Sequence, residues 1–205
     1  MIPGPLKVIK CPSCGMYQQR KTLISGNTIG ATFYSDGKRD APMLPEYPYF
    51  IKCPNCNIYF KIISDVIVEE SYSPNRDISF VRFLSIAEYQ EAIESRLYNG
   101  SDDDLLPLRI ALWRTFNDIT RNGHTIEEKS VYIENCHSIL EAISALNIYD
   151  DENRLICAEL WRNIGDFKQC KKLLKELKKN SYFKKYISAI KAACNAKITY
   201  TIRIK

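Results

Sequence analysis

Two six-residue segments of the same design constrain this chain more than anything else in it. They read Lys10-Cys11-Pro12-Ser13-Cys14-Gly15 and Lys52-Cys53-Pro54-Asn55-Cys56-Asn57. Each follows a strand-like approach, Leu6–Ile9 in one and Tyr49–Ile51 in the other. Proline after the first cysteine fixes one backbone angle and favours a tight turn. Glycine or asparagine at the end suits a positive backbone angle. Two thiolates then converge from one turn, with backbone N–H groups able to point at the sulfurs. Two such turns supply four soft ligands, Cys11, Cys14, Cys53 and Cys56, which suits one tetrahedral zinc ion. Iron in a rubredoxin-like site uses the same ligands, so the residues alone leave iron open. A redox pair of the thioredoxin kind calls for a following helix and no twin. A closed four-thiolate site keeps no position for water or substrate, so the expected role is structural, with no catalytic residue and no second cofactor.

The chain has 205 residues, 45% of them hydrophobic and 26% charged. That is a globular composition, with enough length for a packed core. No run of eighteen apolar residues offers a membrane span, and the opening MIPGPLKVIK lacks a signal-peptide core. The expectation is a cytoplasmic protein without a membrane partner. In a reducing compartment eight cysteines read as ligands or core thiols rather than disulfides. Cys136, Cys157, Cys170 and Cys194 lie on apolar helical stripes, where packing is their role.

The motifs CPSCG and CPNCN resemble those of the zinc-ribbon group of small metal-binding domains. The resemblance covers about the first seventy residues and implies two turns at the ends of β-hairpins clamping one zinc. The thirty-eight residues from Gly15 to Lys52 are long for a minimal ribbon, so something is inserted there. Within the insert, Ala31–Tyr34 is strand-like, Asp36-Gly37 signals a hairpin, and Pro42, Pro45 and Pro48 hold an extended path. Phe33, Tyr34, Tyr47, Tyr49 and Phe50 alternate with Asp36, Lys38, Arg39 and Asp40. The segment reads either as a recognition loop, stacking on a base or gripping a peptide, or as aromatics over a small core with solvated charges.

After the second turn, Ile58–Ile63 and Val66–Val68 continue as strands, and Ser71–Arg76 reads as linker. From Ser85 the hydrophobic period becomes helical. Ser85 with Glu88 is a capping box, and Ile86, Tyr89, Ile93 and Leu97 share a face up to Asn99-Gly100. Asp102, Asp103 and Asp104 load the next helix start, which suits its dipole. Leu105, Leu108, Leu112, Trp113 and Phe116 follow, ending at Asn122-Gly123. Thr125 with Glu128 offers another capping box, before the stripe Ile133, Cys136, Leu140 and Ile143. Tyr182–Ala193 is the last predicted helix. Lys197–Lys205 alternates like a half-buried strand, for which the ribbon sheet is the obvious partner. The predicted fold is α+β. A zinc ribbon with an inserted hairpin occupies residues 1–70, a linker 71–84, an all-α helical-hairpin domain 85–196 and a C-terminal strand 197–205.

The run Ala158–Cys170 resembles the turn of a tetratricopeptide hairpin, with Gly165 at the turn, Phe167 two residues later and Cys170 where the family has a small residue. Leu112-Trp113-Arg114 with Asp118 recurs as Leu160-Trp161-Arg162 with Asp166, a weak internal echo. As a whole the chain resembles a group of uncharacterised bacterial proteins in which a zinc ribbon precedes tetratricopeptide-like helices. GATFYSDGKRDAPMLPEYP, leading into CPNC, carries that likeness, which implies no activity.

Charge is uneven. Residues 81–160 hold seven basic and fifteen acidic side chains, and residues 161–205 hold thirteen basic and two acidic. Lys168, Lys172, Lys175 and Lys179 recur at helical spacing, either as phosphate contacts or as a solvated face. The two histidines, His124 and His137, read as incidental, and no phosphate-loop, Rossmann or nucleophile-elbow motif is present. The sequence points to a non-catalytic intracellular zinc-binding adaptor with a protein or peptide partner. A nucleic-acid binder using the lysine-rich end and the insert's aromatics is the alternative, and an iron electron carrier is the third reading.

Overall fold

The computed structural model describes residues 1–95, 98–146, 150–177 and 183–204. Its strands are β1 (Ile2–Pro3), β2 (Leu6–Lys10), β3 (Tyr17–Arg20), β4 (Leu23–Ser25), β5 (Thr32–Tyr34), β6 (Arg39–Asp40), β7 (Phe50–Lys52), β8 (Tyr59–Lys61), β9 (Ile67–Ser71), β10 (Tyr98–Asn99) and β11 (Arg203–Ile204). Its helices are α1 (Ile86–Glu94), α2 (Leu105–Arg121), α3 (Lys129–Ala145), α4 (Asp151–Asn163), α5 (Phe167–Glu176) and α6 (Lys184–Asn195). The described residues are therefore α+β, strands mostly first and helices mostly after. They divide into two compact units that are not consecutive in sequence. One, the cysteine unit, joins Met1–Ala31 to Ala41–Leu108; the other, the helical unit, joins Thr32–Asp40 to Arg109–Lys205.

In the cysteine unit, β2 lies between β3 and β9 in an antiparallel sheet, β7 and β8 form a hairpin, and β1 pairs with β4. Ile9, Cys11, Ile51, Cys53, Phe60 and Ile62 form its buried core, with Val66, Ile67 and Val81 packed against them. The stretch read as a linker is tied down. Gln19 donates its side-chain amide to the carbonyls of Asn75 and Ile78, and its backbone bonds Ser79 and Val81. The Ser85–Glu88 capping box starts α1, whose Tyr89 and Ala92 are buried.

α1 stops at Glu94, short of the predicted end; Leu97 lies outside the described residues. Tyr98–Asn99 is instead a strand, pairing in parallel with Tyr59–Phe60. The Tyr98 hydroxyl donates to Asp104 at 2.8 Å, and its ring centroid lies 6.3 Å from that of Phe50. These tertiary contacts outweigh the local helical period. The three aspartates fall where the sequence put them, as a 3-10 turn running into α2.

In the helical unit, α2 buries Leu112, Trp113 and Phe116. α3 begins at Lys129 after Glu128, with no side-chain cap, so the Thr125 capping box does not form. The stripe of α3 runs through Tyr132, Cys136, Ile139 and Ile143, leaving Ile133 exposed. α4 and α5 make a hairpin whose core is Leu155, Ala158, Cys170 and Leu174, joined by Ile190 and Cys194 of α6. Gly165, at φ +89°, makes the turn between them, a conformation a side chain would strain. The last helix runs Lys184–Asn195; Tyr182 lies outside the described residues.

The C-terminal strand is confined to Arg203–Ile204 and pairs with β5, not with the hairpins carrying the cysteines. β5 and β6 are the hairpin predicted at Asp36-Gly37, so the insert supplies the strand that receives the chain's end.

Candidate metal centre

The two cysteine turns are built alike, atom by atom. β2 hands over at Lys10, paired with Tyr17, and β7 hands over at Lys52, paired with Tyr59. The N–H of Cys11 bonds the carbonyl of Met16 at 2.8 Å, and that of Cys53 bonds Ile58 at 2.9 Å. Gly15 and Asn57 donate back to the carbonyls of Cys11 and Cys53, each at 3.0 Å. Both turns close through a residue at positive φ, +76° at Gly15 and +62° at Asn57. The hairpin register fixes where each turn begins, and the positive-φ residue folds the second sulfur back beside the first.

The four sulfurs converge, all within 4.8 Å of one another. Sγ of Cys11 lies 3.6 Å from that of Cys56, and Sγ of Cys14 lies 3.5 Å from that of Cys53. A tetrahedron with metal–sulfur bonds of about 2.3 Å has edges of about 3.8 Å, so the group has the size of a metal-thiolate site. The same gaps are far beyond the roughly 2.05 Å of a disulfide. The donor set fits a thiophilic ion, and four sulfurs complete a tetrahedron without water. Zinc and iron both satisfy that geometry.

The first cysteine of each turn is buried, Cys14 is exposed and Cys56 is half-buried. Burial pushes the Cys11 thiol up to about 12 and raises Cys53 as well. Cys14 is lowered to about 6, chiefly by its hydrogen bond with the Asn55 side chain and then by the Met16 N–H. Metal ligation needs all four sulfurs as thiolates, so binding here would release protons from the buried cysteines. Asn55 is a contributor that sequence reading passed over. Its signal was its place inside the second turn.

Charged side chains tie the hairpin of Cys53 and Cys56 to the elements around it. Lys52 pairs with Glu91 of α1 at 3.1 Å, and the Tyr59 hydroxyl donates to the same carboxylate. Lys61 pairs with the buried Asp104 at 2.7 Å. Both lysines sit on the hairpin that carries Cys53 and Cys56.

The other cysteines stay apart from this group. Cys136, Cys157, Cys170 and Cys194 are buried in the helical unit, and burial holds Cys157 up at about 11 and raises Cys136 and Cys170 further. His137 packs edge-on to Trp161, with ring centroids 6.0 Å apart, and His124 lines a cavity in the helical unit. Of the insert's aromatics, Phe50 is buried, Tyr49 is exposed, and Phe33 and Tyr34 are half-buried in β5. Lys168, Lys172 and Lys175 are exposed on α5; Lys179 lies outside the described residues.

No family model, curated protein or solved structure matches this chain. Among the described residues, no helix is long and apolar enough to cross a membrane.

Proposed function

We propose that this chain is a non-catalytic zinc-binding adaptor of the cytoplasm, in which a structural four-cysteine zinc site holds a ribbon-like unit and tetratricopeptide-like helical hairpins receive a protein partner. The observation that carries the reading is the convergence of four sulfurs from two matching turns within 4.8 Å. Zinc is the usual occupant of such closed sulfur sites, and its binding free energy adds to folding where the core is small. The hairpin reading is supported by the α4–α5 turn, where Gly165, Phe167 and Cys170 hold the positions that the tetratricopeptide likeness requires. A cavity of about 430 Å³ in the same unit, lined in part by Asn117, His124, Lys129, Ile133 and Tyr200, is large enough for side chains of a bound segment.

Elemental analysis of protein expressed without added metal tests the centre. The expected result is a colourless protein with one equivalent of zinc. A coloured protein with one iron replaces the adaptor by an electron carrier, and a metal-free folded protein overturns both. Affinity purification tests the adaptor role, which requires a stoichiometric protein partner and fails if several growth conditions yield none.

The exposed lysines of α5 favour one second reading, contact with nucleic-acid phosphates. It requires binding to RNA or DNA that weakens steeply with salt. Absent or salt-insensitive binding removes it.

A further inference from the structure

The insert between the cysteine turns is shared between the two units. Its tip, Thr32–Asp40, is part of the helical unit, while the flanking stretches Gly15–Ala31 and Ala41–Lys52 belong to the cysteine unit. The tip is bonded into the helices by polar groups with almost no exposure. The Asp36 carboxylate meets the Arg121 guanidinium at 2.7 Å and accepts from Asn117 at 3.0 Å. Arg114 donates to the Asp36 carbonyl at 3.2 Å. The Ser35 hydroxyl donates to Glu159, which is also paired with buried Arg162, and accepts from the N–H of Ile202 at 3.0 Å. The Ser35 N–H bonds the Ile202 carbonyl at 2.9 Å. Withdrawing the tip would strand Arg121 and Glu159 in the interior without these partners, which is costly.

We propose that the four-cysteine centre and the helical unit are thermodynamically linked through this hairpin: a metal ion on the sulfurs fixes the cysteine unit, the cysteine unit holds both roots of the hairpin, and the held hairpin completes the polar core of the helices. The proposal rests on metal binding at Cys11, Cys14, Cys53 and Cys56, but not on the adaptor role. With the cysteine unit folded, Ala31, Ala41 and Leu108 belong to one compact body; with it unfolded, the 68 residues of Ala41–Leu108 become a flexible tether between the hairpin and Arg109. Loop-closure entropy makes that change worth about tenfold in the docking equilibrium. Linkage is reciprocal, so weakening the docked hairpin lowers metal affinity by the same factor that metal loss lowers docking.

The experiment uses the full chain with one equivalent of zinc and after removal of zinc by a chelator. Amide exchange at Ser35 and Ile202 is expected to speed about tenfold when zinc is removed. Zinc affinity, measured by competition with a chromophoric chelator, is expected to fall by a similar factor in Ser35→Ala and in Asp36→Asn, although neither residue is near a sulfur. A third protein carries ten Gly/Ser residues at each junction, after Ala31 and after Asp40. It should bind zinc and lose the dependence of exchange on zinc. Zinc that binds yet leaves exchange at Ser35 and Ile202 unchanged overturns the linkage alone. Unaltered zinc affinity in both hairpin variants does the same. A chain that takes up no zinc overturns the linkage together with the zinc reading.

Discussion

Asp36 and Arg121 form a buried ion pair within the helical unit, between the tip of the insert and the end of α2, with side chains 0% and 6% exposed. Arg121 also holds Asp118 at 2.6 Å, and Asp36 takes a further bond from the N–H of Lys38. A buried pair adds little net stability over apolar residues, but breaking one is expensive. Arg121→Met should therefore cost about 3–5 kcal/mol in the unfolding of the helical unit. The double change Asp36→Asn with Arg121→Met should recover part of that loss. Urea unfolding followed by tryptophan fluorescence reads it, since Trp113 and Trp161 both belong to this unit. A loss below about 1 kcal/mol would mean that the pair is solvated.

That pair shows where the sequence stops being legible. The cysteine turns can be read because everything they need lies within six residues: two ligands, a proline and a terminal residue tolerant of positive φ. The Asp36-Gly37 hairpin can be read for the same reason. Its destination cannot, because Asn117, Arg121, Glu159 and Ile202 lie far along the chain and nothing local announces them. Charged residues between aromatics look solvated until a partner of opposite charge is brought to them. Tyr98 fails in a related way. The helical spacing of Ile86, Tyr89, Ile93 and Leu97 leads up to it, but the bond to Asp104 and the pairing with Tyr59 decide its backbone. The α4–α5 hairpin was legible because its turn glycine and its apolar stripe agree.

The two turns differ at two positions, Ser13 against Asn55 and Gly15 against Asn57, and the second difference makes a prediction. Gly15 and Asn57 both have positive φ, and an added Cβ at Gly15 meets nothing closer than 3.5 Å. The cost of Gly15→Ala is therefore conformational, about 1–2 kcal/mol. Asn57→Gly should move stability by less than about 0.5 kcal/mol, since glycine accepts this angle and only unfolded-chain entropy is added. Thermal unfolding of the metal-loaded variants separates the two. Equal effects at both positions would show that the turns do not depend on the backbone angle.

Cysteines in the two classes should respond in opposite ways to the same replacement. Cys53→Ser removes one of the four sulfurs and should abolish stoichiometric metal, loosening the core of Ile9, Ile51 and Phe60 as chelation should. Cys170→Ser leaves every ligand in place and should keep the full metal content. It should instead destabilise the helical unit by about 1–3 kcal/mol, the cost of placing a hydroxyl among Leu155, Leu174 and Ile190. Metal analysis and urea unfolding on the two proteins form the test. Retained metal in Cys53→Ser would remove Cys53 from the ligand set.

The start of α1 carries the clearest pH dependence. Glu88 accepts two bonds from Arg82, at 2.7 and 2.5 Å, and one from the Ser85 N–H at 2.9 Å. The Arg82 guanidinium, and after it the Ser85 N–H, overcome partial burial and hold the carboxyl down at about 2. A carboxylate lowered on folding stabilises the folded state above its ordinary value near 4.3 and loses that contribution as pH falls toward 2. Arg82 is 66% exposed, so solvent screening keeps the ion-pair share below about 1 kcal/mol, with the cap adding about 1 kcal/mol. Glutamine can still complete the capping box, so Glu88→Gln loses mainly the ion pair and should be less stable than the parent by up to about 1 kcal/mol from pH 7 to pH 5. The gap should narrow steadily below pH 4.5. Cysteine protonation and metal loss at low pH are common to both proteins and cancel in the difference. Urea unfolding of the pair at pH 7, 5 and 3.5 gives the measurement. A gap that widens on acidification would assign Glu88 a raised carboxyl and reverse the role given to Arg82.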